Sequence, residues 1–127
     1  MQERHLYEYA IVRVVPRVER EEFINVGIVL FCKRLRFIKM LYTVNETKIK
    51  TLYNEADTKQ IQQNLESFQR IAEGARNSGP IALLEVPERF RWLTAVRSSV
   101  IQTSRPHPGF CTNPAEAAQQ LFEEMVL

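Results

Sequence analysis

Apolar and β-branched residues are concentrated in three short stretches within the first 42 residues, and polar turns separate these stretches. This pattern predicts three strands of an antiparallel meander, at residues 6–16, 23–32 and 36–42. In the first two stretches both alternating sets of side chains are largely apolar, which indicates strands that lie inside a sheet. Gly27 interrupts the second stretch. A glycine within a strand indicates a bulge or the close approach of another backbone.

From residue 43 onward the apolar residues recur at helical spacing. A stripe that includes Phe68 follows Asp57, a good N-cap residue, and predicts a helix at 57–76. Asn113 precedes a proline and a second stripe, which predicts a helix at 114–126. Weaker signals predict short helical segments at 48–53 and 87–93, a fourth strand at 100–104, and a loop at 105–109 that contains two prolines.

These elements predict an α+β fold, with a mostly antiparallel sheet of about four strands packed against two main helices. The helix at 57–76 is expected to bury one face of the sheet, with Phe68 in the core. The chain has 127 residues, of which 45% are hydrophobic and 25% are charged. This is typical of a single soluble globular domain, which we expect to span residues 1–127.

The charged residues also bear on localisation. They interrupt every apolar run well before the roughly 18 residues that a membrane-spanning helix needs. The first residues of the chain do not form the apolar segment of a signal peptide. We therefore expect a cytoplasmic protein that does not associate with a membrane.

Composition argues against several kinds of active site. Asp57 is the single aspartate among 15 acidic residues, whereas metal-dependent phosphoryl transfer usually needs several convergent carboxylates. Only four glycines occur, and their positions form neither of the glycine-rich motifs that cradle nucleotide phosphates. Cys32 and Cys111 lack metal-ligand spacing and are predicted to be packing thiols. We therefore predict no catalytic residues, no metal and no cofactor, although an enzyme of unknown type stays an alternative.

Arg13 and Asn25 are candidate ligand-binding residues in the first two strands. A guanidinium group in a largely buried strand must be paired or must reach a ligand. Two interpretations fit Arg13: an ion pair with a glutamate such as Glu22, or an anchor for a phosphate or a carboxylate. The Asn25 side chain could bind a ligand, or it could satisfy backbone groups around the irregularity at Gly27.

Further candidates lie in the second half of the chain. Ser104, Arg105 and His107 belong to a loop that two prolines make rigid, and a rigid loop lowers the entropic cost of binding. Arg97 belongs to a group of arginines that flank Trp92. Such a segment could bind single-stranded nucleic acid, or it could place its arginines on a solvated helix face.

Four segments together resemble a bacterial family of unknown function, the domain of unknown function 3037 (DUF3037). The segments share short motifs rather than one long signature: Tyr9-Ala-Ile-Val-Arg13 with Pro16, Glu22-Phe-Ile-Asn25-Val-Gly27, Arg89-Phe-Arg-Trp92 with Arg97-Ser98, and His107-Pro-Gly109 ahead of Asn113-Pro114. The resemblance implies a small bacterial protein. Members are often encoded beside a kinase-like protein similar to the HipA toxins, which implies a protein partner, and the resemblance implies no catalytic residues.

Two functions from different classes fit these observations, apart from an enzyme. The first is a non-catalytic protein-interaction module, with a HipA-like kinase as a candidate partner. The second is an anion-binding protein in which Arg13, Arg97, Arg105 and His107 converge on one pocket that binds a phosphorylated small molecule or a nucleic-acid backbone. The net charge of only +2 favours a protein partner over nucleic acid.

Overall fold

A computed structural model describes residues 3–127 and contains one five-stranded antiparallel sheet. Its strands are β1 (His5–Val14), β2 (Ile24–Cys32), β3 (Phe37–Tyr42), β4 (Ile101–Thr103) and β5 (His107–Cys111). The meander β1-β2-β3 forms as the apolar pattern predicts. The other edge of β1 pairs with two strands in succession, β4 near its end and β5 near its start. Strand β1 is therefore interior, which confirms the prediction from its two apolar faces.

The pairing of β1 with β2 is irregular beside Gly27. Val12 pairs with Gly27 and Arg13 pairs with Asn25, so Val26 is an extra residue on β2. A Cβ atom on Gly27 would overlap the carbonyl oxygen of Leu41 on β3. Both explanations offered for this glycine are therefore confirmed, because the bulge and the close approach of β3 occur together.

Four helices accompany the sheet: α1 (Glu46–Leu52), α2 (Thr58–Glu73), α3 (Val86–Leu93) and α4 (Pro114–Met125). Asp57 caps α2, since its side chain accepts a hydrogen bond of 3.0 Å from the backbone N–H of Gln60. The helix ends at Gly74, whose φ of 67° lies in the left-handed region that favours glycine. No helix within the described residues is long and apolar enough to cross a membrane.

The helices cover the two faces of the sheet unequally. Helices α1, α2 and α3 contribute to the larger core, together with one set of side chains from β1. Helix α4 packs against β2 and β3 on the opposite face, where it buries Ala118 and Leu121. On α2, Leu65 is completely buried, whereas Phe68 is only partly buried and lies beside Trp92. The apolar stripe predicts Phe68 within the core, but the residue lies at the border of the core.

The α+β class is confirmed, and the detail that the sequence missed is strand β5. Residues 107–109 were expected to be loop, but they pair with β1 from His107 to Cys111. Proline is tolerated at position 108 because β5 is an edge strand, where a missing N–H group need not interrupt the ladder. The sheet therefore has five strands instead of about four.

We predict that Leu65→Ala lowers the free energy of unfolding by about 2–5 kcal/mol, because it leaves a cavity beneath α2. Chemical denaturation monitored by circular dichroism measures this loss. Gln63→Ala on the exposed side of the same helix is the control, and we expect it to change the stability by no more than about 0.5 kcal/mol. Similar effects of the two substitutions would contradict the packing of α2 on the sheet.

Candidate anion-binding site

A cavity of about 350 Å³ lies where β1 ends and β4 begins, and two arginines from different parts of the chain line it. Arg13 comes from β1, and Arg97 comes from the segment between α3 and β4. The register of the sheet places Gln102 of β4 beside Arg13, and Gln102 also lines the cavity. We call this cavity the anion pocket. It is formed because a long connection brings the start of β4 back to the end of β1.

Arg13 lies over an aromatic ring and not beside a carboxylate. The centre of its guanidinium group is 4.1 Å from the ring centroid of Phe23. The ion pair expected with Glu22 does not form, because Glu22 contacts Arg20 at 2.6 Å. The Nε atom of Arg13 is buried and has no hydrogen-bond partner. The charge of Arg13 therefore has an attractive π-face beside it but no neutralising anion.

Arg97 is held in a similar way. Its guanidinium group lies 4.6 Å from the ring centroid of Trp92 and 5.0 Å from that of Phe68. One of its terminal nitrogens donates a hydrogen bond to the carbonyl oxygen of Trp92. Burial lowers the pKa of Arg97, but an arginine stays protonated at neutral pH. These contacts fix the orientation of the charged group.

Neither arginine forms an ion pair with a carboxylate in the described part of the chain. The ion pairs within residues 3–127 join other residues, and none of them includes Arg13 or Arg97. Glu21 also lines the anion pocket, but it is exposed to solvent and is not within ion-pair distance of either arginine. Two fixed guanidinium groups are chemically suited to a carboxylate or a phosphate, whose oxygens accept several N–H groups at once.

Ser104, another candidate residue, forms hydrogen bonds within the sheet and not with a pocket. It is 6% exposed and lies between β4 and β5, opposite Ile11 of β1. Its Oγ accepts a hydrogen bond of 2.8 Å from the Ile11 N–H, and its own N–H donates a 2.8 Å bond to the Ile11 carbonyl oxygen. The hydroxyl thus replaces the ladder bond that is missing where β4 gives way to β5. None of the cavities described here is lined by Ser104.

The remaining candidates do not join the anion pocket. His107 pairs with Tyr9, and its ring centroid is 5.5 Å from that of Tyr9. Tyr9 is four residues before Arg13, or about 13 Å along a strand. Arg105 is exposed and does not line the pocket. Asn25 donates a 3.2 Å hydrogen bond to the carbonyl oxygen of Met125, which ties β2 to the end of α4.

The arginines around Trp92 are also separated by the fold. Arg89 donates hydrogen bonds to the carbonyl oxygens of Leu84, at 2.7 Å, and Ala72, at 3.3 Å, so it joins α3 to α2. Arg91 is exposed on α3. The sequence missed Phe23 and Gln102 as pocket residues. The β-strand alternation could have indicated Gln102, but only the pairing of β1 with β4 places it beside Arg13.

A second cavity, of about 330 Å³, lies between β5 and α4 and is lined in part by Tyr7 and Cys111. Burial raises the pKa of both groups, so the Cys111 thiol is less ionised than a free cysteine and less nucleophilic. No cluster of three or more metal-ligating side chains occurs in the described part of the chain. The anion pocket is therefore the site whose chemistry is most specific.

The structure is that of a small α+β protein in which one antiparallel sheet supports a pocket with two arginines. Comparison with protein families identifies it further: the chain belongs to the family described as protein of unknown function DUF3037, whose sequence model matches residues 9–126. Searches of the curated proteins and of the solved structures find no match. Membership of the family confirms the resemblance inferred from the sequence motifs.

We predict that Ser104→Ala lowers the free energy of unfolding by about 1–3 kcal/mol, because the Ile11 N–H is left buried without an acceptor. Hydrogen exchange of the Ile11 amide, followed by NMR, should become faster. Ser98→Ala, at an exposed position in the preceding loop, is the control and should change stability by no more than about 0.5 kcal/mol. Unchanged protection of the Ile11 amide in Ser104→Ala would show that the hydroxyl is dispensable.

Proposed function

We propose that the protein is a non-catalytic binding module that recognises an anionic group, a carboxylate or a phosphate, on a protein partner. One observation carries the proposal: Arg13 and Arg97 line the same pocket, and neither is paired with a carboxylate within the described residues. Leaving two guanidinium groups unpaired in a partly buried pocket costs free energy unless an anion binds there. Their contacts with aromatic rings orient them before a ligand arrives, which lowers the entropic cost of binding.

A protein partner is favoured over nucleic acid by the distribution of charge. A nucleic-acid interface needs a continuous row of cations along the phosphate backbone. Here Arg89 is engaged with backbone carbonyl groups, and Arg105 lies outside the pocket that Arg13 and Arg97 share. Two arginines that line one pocket suit one anionic group better than a polyanion. The kinase-like protein similar to HipA, which the family resemblance suggests, is the first partner to test.

We predict that inorganic phosphate and acetate shift the NMR signals of Arg13, Arg97 and Gln102 in the ¹⁵N-labelled protein. Arg13→Gln removes a charged hydrogen-bond donor, so the dissociation constant should rise about tenfold or more. High ionic strength should weaken the binding further, because the interaction is electrostatic. Arg91→Gln, on the exposed side of α3, is the matched control and should bind like the wild type.

The proposal fails if the two anions shift these signals equally in Arg13→Gln and in the wild-type protein. Co-purification tests the source of the anion. A partner protein should be retained by the wild-type protein and by Arg91→Gln but lost with Arg13→Gln. Retention of single-stranded oligonucleotides that depends on Arg13 and decreases steeply with salt would instead identify nucleic acid as the ligand.

A further inference from the structure

A larger and more apolar cavity adjoins the anion pocket. It has a volume of about 590 Å³ and lies between α2, α3 and β4. Phe68, Ile71, Trp92 and Val100 provide its apolar walls. Val18 and Ser98 line both cavities, so the two lie side by side. We call this larger cavity the apolar groove.

Arg97 joins the groove to the pocket. Its guanidinium group covers the rings of Phe68 and Trp92, which are walls of the apolar groove, and the same side chain lines the anion pocket. A molecule that crosses from one cavity to the other would therefore pass this guanidinium group. It would meet apolar surface on one side of Arg97 and the second cation, Arg13, on the other.

We propose that the groove and the pocket form one site for a peptide segment that carries a bulky apolar side chain next to an acidic one. The inference rests on the proposed function, and it adds the chemistry that would select the partner. The apolar side chain would enter the groove, where burying it is favourable. The acidic side chain would meet Arg13 and Arg97, whose charges are complementary to it.

The shape of the groove favours an aliphatic side chain over a nucleobase. A base stacks on a free aromatic face. Arg97 already lies over a face of each ring, and the rings of Phe68 and Trp92 are tilted by 52° to each other. The other apolar walls are aliphatic and include Ile71 and Val100. This surface packs well against a branched or flexible side chain and offers no parallel platform for a base.

A random dodecapeptide library panned on the folded, immobilised protein tests the inference. We expect the selected peptides to carry Asp or Glu beside Leu, Ile or Met. Trp92 is the sole tryptophan of the chain, so its fluorescence reports on the groove directly. Binding of a selected peptide should shift the emission to shorter wavelength, because the peptide removes water from the indole ring.

Matched peptides and variants separate the two parts of the site. Replacing the apolar residue of a selected peptide by Ala, or its acidic residue by the amide, should each weaken binding about tenfold. The double variant Ile71→Thr, Val100→Thr should lose the apolar preference and keep the acidic one. Arg13→Gln should do the reverse, and Arg91→Gln should bind every peptide like the wild type. Thermal melts of each variant confirm that it is folded.

The outcomes distinguish the inference from the function on which it rests. Peptides selected for acidity alone, with no effect of the groove variant, would overturn the two-part site and leave the anion pocket intact. Peptides whose binding is unaffected by Arg13→Gln would overturn the proposed function itself. Displacement of the peptides by single-stranded oligonucleotides at equal concentration would overturn the assignment of the site to a protein segment.

Discussion

Strand β1 must be hydrogen-bonded along both edges, because it lies in the interior of the sheet and several of its residues are completely buried. Strand β2 pairs with one edge from Glu8 to Val14. The other edge is shared by β4 and β5, because neither strand is long enough to pair with the whole edge. Between the two strands, Ser104 makes a pair of hydrogen bonds with the backbone of Ile11. This junction links β4 to β5 along the same edge of β1.

The anion pocket is a consequence of that arrangement. Because β4 pairs only with the last residues of β1, the chain before it must return to the end of the sheet. This return places Arg97 near Arg13, although 83 residues of sequence lie between the two. The same return places Trp92 and Val100 opposite α2, so the apolar groove forms beside the pocket. Thus one strand pairing organises both cavities.

Aromatic rings, and not carboxylates, hold the two guanidinium groups. This difference matters for function, because an ion pair would neutralise the charge that a ligand needs. The quadrupole of an aromatic ring attracts the guanidinium group but does not accept hydrogen bonds from the N–H groups at its edge, which can therefore donate to a ligand. Phe23 is 47% exposed, lies beneath the guanidinium group of Arg13 and lines the pocket. The exposed ring of Phe23 is therefore part of the site and not a defect in packing.

The sequence alone determined the elements that depend on local chemistry. The apolar alternation located β1, β2 and β3 to within two residues, and Asp57 and Asn113 marked the starts of α2 and α4, because capping and alternation involve only neighbouring residues. The sequence also identified Arg13, a charged residue in an apolar strand, and Arg97, one of the arginines that flank Trp92, as candidates. It could not show which candidates lie close together.

Strand β5 was missed because Pro108 is compatible with a strand only at an edge, and an edge is a property of the whole sheet. Ser104 and His107 were separated from the arginines, and Phe23 and Gln102 were added, because strand pairing between distant segments decides which side chains become neighbours.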